Sequence, residues 1–175
     1  MQFAVGQNIV HPSHGAGTVI DVQNQELVEG FRRYYVIRFD GKRLTVHVPF
    51  RRTDEVGLRK VMSRSKCQDV LDTLRKLPKP LPSNFKERRK LIENLIHSGQ
   101  PTKIAEAVRE LNWRGEEKRL NTADSDLLAQ GREMLIQEMA LATGADPAEI
   151  QQRIDRALEA SVQAKLAEQN RGVEH

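Results

Sequence analysis

The chain has 175 residues, of which 30% are charged and 38% hydrophobic, and its formal net charge is +4. This length allows one domain or two small ones, and a pI near 9.4 permits a polyanionic partner without requiring one. No run approaches the roughly 18 apolar residues of a membrane span, and the single cysteine, Cys67, excludes an internal disulfide, so we expect a cytoplasmic protein without a signal peptide.

Residues 1 to about 50 are predicted to form a small antiparallel β-barrel of the SH3 or Tudor type. Their short segments are rich in β-branched and aromatic residues, and turn-forming residues separate them. Asp40-Gly41 is typical of a tight hairpin, and Pro49 should end the last strand because it lacks an N–H donor. Residues 51–62 are predicted to be a connector. The predicted strands span residues 8–10, 18–23, 34–39 and 44–48.

Residues 63–170 are predicted to form an all-α domain of about five helices, which gives an α+β protein with a domain boundary after residue 62. Apolar residues recur at helical spacing in each segment. Ser65 is expected to cap the first helix, and the proline-rich residues 78–82 should form an extended spacer after it. A loop is expected from Gly115 to Asn121. The predicted helices span residues 65–77, 85–97, 101–114, 122–143 and 147–166.

Positive charge is concentrated between Arg75 and Lys90, where seven residues are basic and one is acidic. Asn84 followed by Glu87 is typical of a capping box, so a helix should begin at Phe85. The first N–H groups of a helix have no partner within it, and with nearby cations they can bind phosphate. This stretch is therefore the first candidate for a nucleic-acid site.

Phe85 has two interpretations, and its spacing does not decide between them. On a helical wheel it lies on the side of Ile92 and Ile96, which favours burial in the core. Its position among cations favours an apolar wedge beside a nucleic-acid backbone instead. The flanking cations are likewise either a solvated surface or phosphate contacts; they are Lys86, Arg89 and Lys90.

Patterns typical of catalysis or metal binding are weak in this chain. His11 and His14 form an H-x-x-H pair, but no nearby second pair of Cys or His completes four zinc ligands. The segment Gly15-Ala16-Gly17 lacks the Lys and the helix of a phosphate-gripping loop and is better explained as a turn. We therefore predict no enzymatic activity, no metal, no cofactor and no small-molecule substrate.

Five sequence blocks occur in a specific order and spacing. They are residues 5–15 (VGQNIVHPSHG), 44–49 (LTVHVP), 56–59 (VGLR), 88–89 (RR) and 103–109 (KIAEAVR). The first is similar to the opening V-G-x-x-V-V-[YH]-P-x-H-G of the CarD/CdnL family of bacterial transcription regulators, and the others follow at matching positions. The resemblance covers about residues 1 to 145. The first block is the least specific, because the polymerase-binding domain of transcription-repair coupling factors shares it.

The resemblance implies that a Tudor-like N-terminal domain docks on the β subunit of RNA polymerase by strand addition. The family's docking strand corresponds here to Leu44, Thr45, Val46, His47, Val48 and Pro49. The protein would then be cytoplasmic and associated with the nucleoid through RNA polymerase.

The resemblance also implies that the helical domain contacts promoter DNA, with low sequence specificity, at the upstream edge of the transcription bubble. A family Trp wedges into the minor groove there and stabilises the open complex. Phe85 stands at that position and lacks the indole N–H donor, and Ser125 stands where the family has a further basic residue. The DNA-binding residues expected from the charge pattern and the resemblance are Phe85, Lys86, Arg88, Arg89, Lys90 and Arg114.

Two other functions are compatible with the residues alone. An RNA- or ribosome-associated module of the KOW type would also explain the block at residues 5–19 and the basic helix. A protein adaptor without nucleic-acid contact would place Phe85 in its core.

Overall fold

The computed structural model describes residues 2–173, and its contacts divide the chain into two units, the first ending at Val61 and the second beginning at Met62. The first unit is built on a β-sheet and the second on helices, so the α+β class and the order of the two parts are confirmed. Within residues 2–173, no helix is both long and apolar enough to cross a membrane.

The first unit is a five-stranded antiparallel sheet with the strand order β4-β3-β2-β1-β5. The last strand was not expected, because residues 51–62 were predicted to be a connector. In the structure Lys60 pairs with Ile9 and Arg59 with Val10, which adds a strand beside β1. The strands are β1 (Asn8–His11), β2 (Gly15–Val28), β3 (Phe31–Phe39), β4 (Leu44–Pro49) and β5 (Arg59–Lys60).

Side chains alternate between a buried and a more polar face along β4, whereas the middle of β3, from Tyr34 to Ile37, is buried on both faces. Tyr35, Ile37 and Phe39 belong to the apolar core of this unit, and Val48 joins them from β4. Thr45 and His47 are exposed on the opposite face of β4, as their spacing predicts. The residues of β4 therefore divide into core contacts and side chains that are available to a partner.

The connections of the sheet differ from the predicted tight turns. Asp40–Lys42 form a short 3-10 helix and Arg43 adopts a left-handed conformation with φ of 49°, so the β3–β4 connection is longer than the expected Asp40-Gly41 hairpin. Strand β2 continues five residues beyond the predicted end at Gln23, to Val28. After β4 come the 3-10 helix Phe50–Arg52 and the short helix α1 (Thr53–Val56), which lead to β5.

Among the described residues the second unit contains five helices, and several of their boundaries differ from prediction. The first ends at Arg75 and not at Leu77, and the last continues to Val173, seven residues beyond the predicted end at Leu166. Ser63, not Ser65, caps the first helix by accepting a hydrogen bond from the N–H of Lys66. The fourth helix of the chain continues through Gly115 to Glu117, so the predicted loop is shorter. The helices are α2 (Arg64–Arg75), α3 (Phe85–Ile96), α4 (Pro101–Glu117), α5 (Thr122–Thr143) and α6 (Pro147–Val173).

Close packing against α4 fixes the position of α3 and α5. Ile92 and Ile96 of α3 are fully buried in a cluster with Leu111 of α4. Burial of each side chain contributes about 1.5–3 kcal/mol to folding stability. On α5, a Cβ added at Gly131 would lie 2.8 Å from Val108 Cγ2, so this helix contact requires glycine. The first turn of α3 is thus attached to a rigid support.

Candidate functional site

The N-terminus of α3 is formed by the cap that the sequence predicts. Asn84 Oδ1 accepts a hydrogen bond from the N–H of Glu87 at 3.1 Å, and α3 begins at Phe85. The side chain of Phe85 is 44% exposed and does not belong to the apolar clusters of the helical unit. Its helical-wheel position on the side of Ile92 and Ile96 therefore does not bring it into their buried cluster.

Arg88 corrects one part of the predicted DNA-binding set. Its side chain is 4% exposed, its Nε donates to Asp124 Oδ2 at 2.9 Å, and its Nη1 donates to the carbonyl oxygens of Pro82 (3.2 Å) and Ser83 (3.0 Å). A guanidinium committed to three protein acceptors and removed from solvent is not placed to neutralise a phosphate. Arg88 instead holds the segment before α3 against the start of α5, with its Cζ 5.8 Å from the centre of the Phe85 ring.

The proline-rich segment before α3 is held by buried polar contacts near both of its ends. Glu110 Oε1 accepts from the N–H of Lys79 at 2.9 Å and from Arg109 Nε at 2.7 Å. Arg109 Nη1 in turn donates to the carbonyl of Thr73 in α2 at 2.7 Å. Arg88 also donates to the carbonyl of Pro82, so this predicted spacer is a strap held near both ends, directly before Phe85.

Arg114 lies beside the buried Arg88–Asp124 ion pair. Arg114 Nε is 3.7 Å from Asp124 Oδ2 and the Arg114 side chain is 18% exposed, so its guanidinium is near the surface and only loosely paired. Asp124 is in the first turn of α5, which Asn121 caps through the N–H of Asp124 at 2.7 Å. Its other oxygen, Oδ1, is buried and has no hydrogen-bond partner in the part of the chain that is described. The sequence does not reveal the pairing of Asp124 with Arg88, because an acidic residue in the first turn of a helix is usually explained by the helix dipole alone.

The remaining predicted cations are exposed on α3. Lys86 and Lys90 have no ion pair among residues 2–173, whereas Arg89 Nε donates to Glu93 Oε1 at 2.9 Å. That pair is solvent-exposed on both sides and contributes little to stability. Ser125, in the first turn of α5, is exposed. The structure therefore places an exposed aromatic ring at the end of a helix with uncompensated positive charge on the same helix.

The second predicted site is the edge strand β4. Among residues 2–173 it pairs with β3 alone, from Tyr34 opposite Pro49 to Phe39 opposite Leu44. An edge strand has backbone N–H and C=O groups that no strand of its own sheet satisfies, and it can accept a strand from another chain. Thr45 and His47 are exposed along it, Leu44, Val46 and Pro49 are half-buried, and Val48 is buried.

The His11–His14 pair has a structural explanation. The two rings lie 4.4 Å apart between centroids, next to Phe39, and His11 Nδ1 accepts from the N–H of Ser13 at 3.0 Å. Burial lowers the pKa of His11 to about 4, with further contributions from His14 and Lys42, and burial also lowers the pKa of His14. No group of three or more potential metal ligands is found within residues 2–173.

Comparison with known proteins agrees with this two-part architecture. Residues 3–62 match the CarD-like/TRCF RID domain, and residues 69–155 match the CarD C-terminal domain. The chain is 30% identical over 142 residues to YdeB of Bacillus subtilis (strain 168), which is named as a candidate transcription factor; the match covers 81% of this chain and 93% of that protein. The chain therefore belongs to the CarD/CdnL family of bacterial transcription regulators.

Proposed function

We propose that this protein binds the β subunit of RNA polymerase through β4 and promoter DNA through the N-terminal end of α3, and that it stabilises the open complex. The DNA contact would lie at the upstream edge of the transcription bubble. It would read the shape and melting propensity of DNA more than its sequence, because a wedge and phosphate contacts carry little information about base edges.

The observation that carries the DNA half of this proposal is the exposed Phe85 on a rigid support. Exposing a large aromatic side chain to water is unfavourable. Phe85 is nevertheless 44% exposed, and the Asn84 cap and the hydrogen bonds of Arg88 hold the backbone around it. Lys86 and Lys90 are exposed on the same helix, and Arg114 lies 3.7 Å from Asp124, the buried partner of Arg88. An apolar wedge with neighbouring cations is what a minor-groove site at a weakened base step requires.

The polymerase half rests on the edge position of β4 and on the family's strand-addition mode. Neither contact has to be strong alone. Once one surface is bound, the other acts at a high effective concentration, so two weak contacts give a stable complex.

Proline substitution should distinguish the free side of β4 from the side that pairs with β3. Successive residues direct their N–H groups to opposite sides of a strand, so Thr45→Pro and Val46→Pro remove donors that face opposite neighbours. The variant that loses an N–H on the free side should bind purified β subunit at least about 100-fold more weakly, while the β3–β4 pairing is kept. The other should lose β3 pairing and unfold the sheet, which circular dichroism distinguishes.

The control is the unfolding of the helical unit in the same variants, monitored by the fluorescence of Trp113, the only tryptophan of the chain. The helical unit should unfold as it does in the wild type. Retention of full β-subunit affinity in the variant whose sheet stays folded would contradict docking through β4.

Neutralising Lys90 should weaken DNA binding in a salt-dependent way. If Lys90 neutralises one phosphate, Lys90→Gln should reduce the slope of log affinity against log salt concentration by about one unit. Fluorescence anisotropy with a labelled duplex, between 50 and 200 mM salt, measures this slope. Arg153→Gln on α6 makes the same charge change at an exposed position paired with Glu149, and it should leave the slope unchanged. Equal slopes for Lys90→Gln and the wild type would show that the α3 cations are only solvated.

A further inference from the structure

The sheet of the first unit has a notch at the end of β4 that lies away from the β3–β4 connection. Strand β3 begins at Phe31, but β4 ends at Pro49, opposite Tyr34, so residues 31–33 extend beyond the edge strand. Phe50 and Arg51 of the following 3-10 helix turn beside this extension. Together with Gly30, Phe31, Arg32 and Arg33 they line an open notch of about 530 Å³.

Arginine and phenylalanine side chains dominate the notch, and its lining contains no acidic residue. The Arg33 guanidinium lies 4.5 Å from the centre of the Phe50 ring, and Phe50 stacks on the buried Tyr35 ring at 3.9 Å and 10°. This three-layer stack orients Arg33 before any ligand arrives. Arg32 and Arg51 are exposed and have no ion pair in the described part of the chain.

The neighbouring Arg52, in contrast, has an acidic partner. It forms a two-pronged salt bridge with Glu55, through Nε at 3.1 Å and Nη2 at 2.9 Å. The three arginines of the notch have no such partner among the residues that line the cavity with them. Guanidinium groups in this arrangement fit carboxylates, which they bind with two parallel hydrogen bonds.

We propose that this arginine-lined notch binds an acidic segment of the same protein partner that pairs with β4, an inference that rests on the proposed function. Its position favours a protein ligand over nucleic acid. A strand added to β4 and continuing past Pro49 reaches the place where the sheet edge steps back to β3, so its next side chains can enter the notch. Carboxylates there would fix the register of the added strand, which main-chain hydrogen bonds alone leave open.

A labelled peptide of alternating Glu and Ser tests the ligand chemistry on the full chain, beside a Gln and Ser peptide and a single-stranded oligo-dT of equal charge. The acidic peptide should bind best of the three ligands.

Variants of the notch test which side chains are responsible. Arg51→Gln should weaken binding of the acidic peptide about fivefold. Arg33→Lys keeps the charge but loses the planar guanidinium, so it should weaken binding about threefold. Arg52→Gln is the matched control and should change affinity less than about twofold, because Arg52 is paired outside the notch. Tighter binding of oligo-dT through Arg51, no preference for Glu over Gln, or equal effects of Arg51→Gln and Arg52→Gln would overturn the proposal.

Binding of purified polymerase β subunit tests whether the notch and β4 serve one partner. Arg51→Gln should lower this affinity about fivefold, and Arg52→Gln should not. If Arg51→Gln weakens the acidic peptide but leaves β-subunit affinity unchanged, the notch is not part of that interface and the proposal is wrong. If the wild type fails to bind the β subunit at all, the function proposed above is wrong, whereas the peptide series still decides what the notch binds.

Discussion

Arg88→Met should lower the free energy of unfolding of the helical unit by about 3–5 kcal/mol, the cost of leaving one charge of a buried pair without its partner. Asp124 is 1% exposed, and in this variant its remaining cationic neighbour would be Arg114, at 3.7 Å. The carbonyls of Pro82 and Ser83 would also lose their donor. The strap before α3 should then loosen together with the first turn that carries Phe85.

Urea titration followed by Trp113 fluorescence measures this effect in the helical unit, because the sheet unit contains no tryptophan. The adjacent Arg89→Met removes the same charge from an exposed pair and should cost less than about 1 kcal/mol. Adding Asp124→Leu to Arg88→Met should recover part of the loss, because no isolated buried charge remains. A loss below about 1 kcal/mol for Arg88→Met would show that the pair does not hold this end of the domain.

Phe85→Ala should leave the fold almost unchanged and shorten the lifetime of the polymerase–promoter open complex by at least about tenfold. A core phenylalanine would cost about 3–5 kcal/mol on truncation, but a side chain that is 44% exposed should cost less than about 1 kcal/mol. The wedge acts by holding a base step unstacked, and unstacking one step costs a few kcal/mol without such a contact. Competitor challenge of preformed open complexes measures the lifetime.

Leu91→Ala is the matched control for Phe85→Ala. Leu91 is on the same helix with a similar exposure of 41%, but 240° further round the helix axis by spacing. It should change neither stability nor lifetime appreciably. Phe85→Trp should be tolerated, since the side chain is 44% exposed and outside the buried clusters, and it should maintain or lengthen the lifetime. A large loss of stability for Phe85→Ala with an unchanged lifetime, measured where the variant is folded, would contradict the wedge.

The sequence predicted where α3, α4, α5 and α6 begin, because the preferences of the cap and the first helical position are local, but it did not predict where α2, α4 and α6 end. Asn84 accepts the N–H of Glu87, as the predicted capping box requires, and Asn121 accepts the N–H of Asp124 in the same way. Gly144 follows α5 with φ of 73°, and Pro147 begins α6. The edge position of β4 was also implied, although by family resemblance and not by its residues.

Long-range contacts account for what the sequence could not predict. Arg88 belongs to a run of exposed cations, and only its pairing with Asp124, 36 residues away, makes it structural. Strand β5 was missed because Arg59 and Lys60 carry no strand signal and pair only through the chain's return to β1. The arginine-lined notch was missed because its residues come from two separate segments, Gly30–Arg33 and Phe50–Arg51.

The most direct test of the two-surface account is open-complex lifetime with single and double variants. The wild-type protein should lengthen the lifetime, and either Phe85→Ala or the folded β4 proline variant that loses polymerase binding should remove most of that gain. Because docking delivers the wedge, the double variant should be no worse than the proline variant alone. Losses that add in the double variant, or a lifetime that the wild-type protein does not change, would contradict the account.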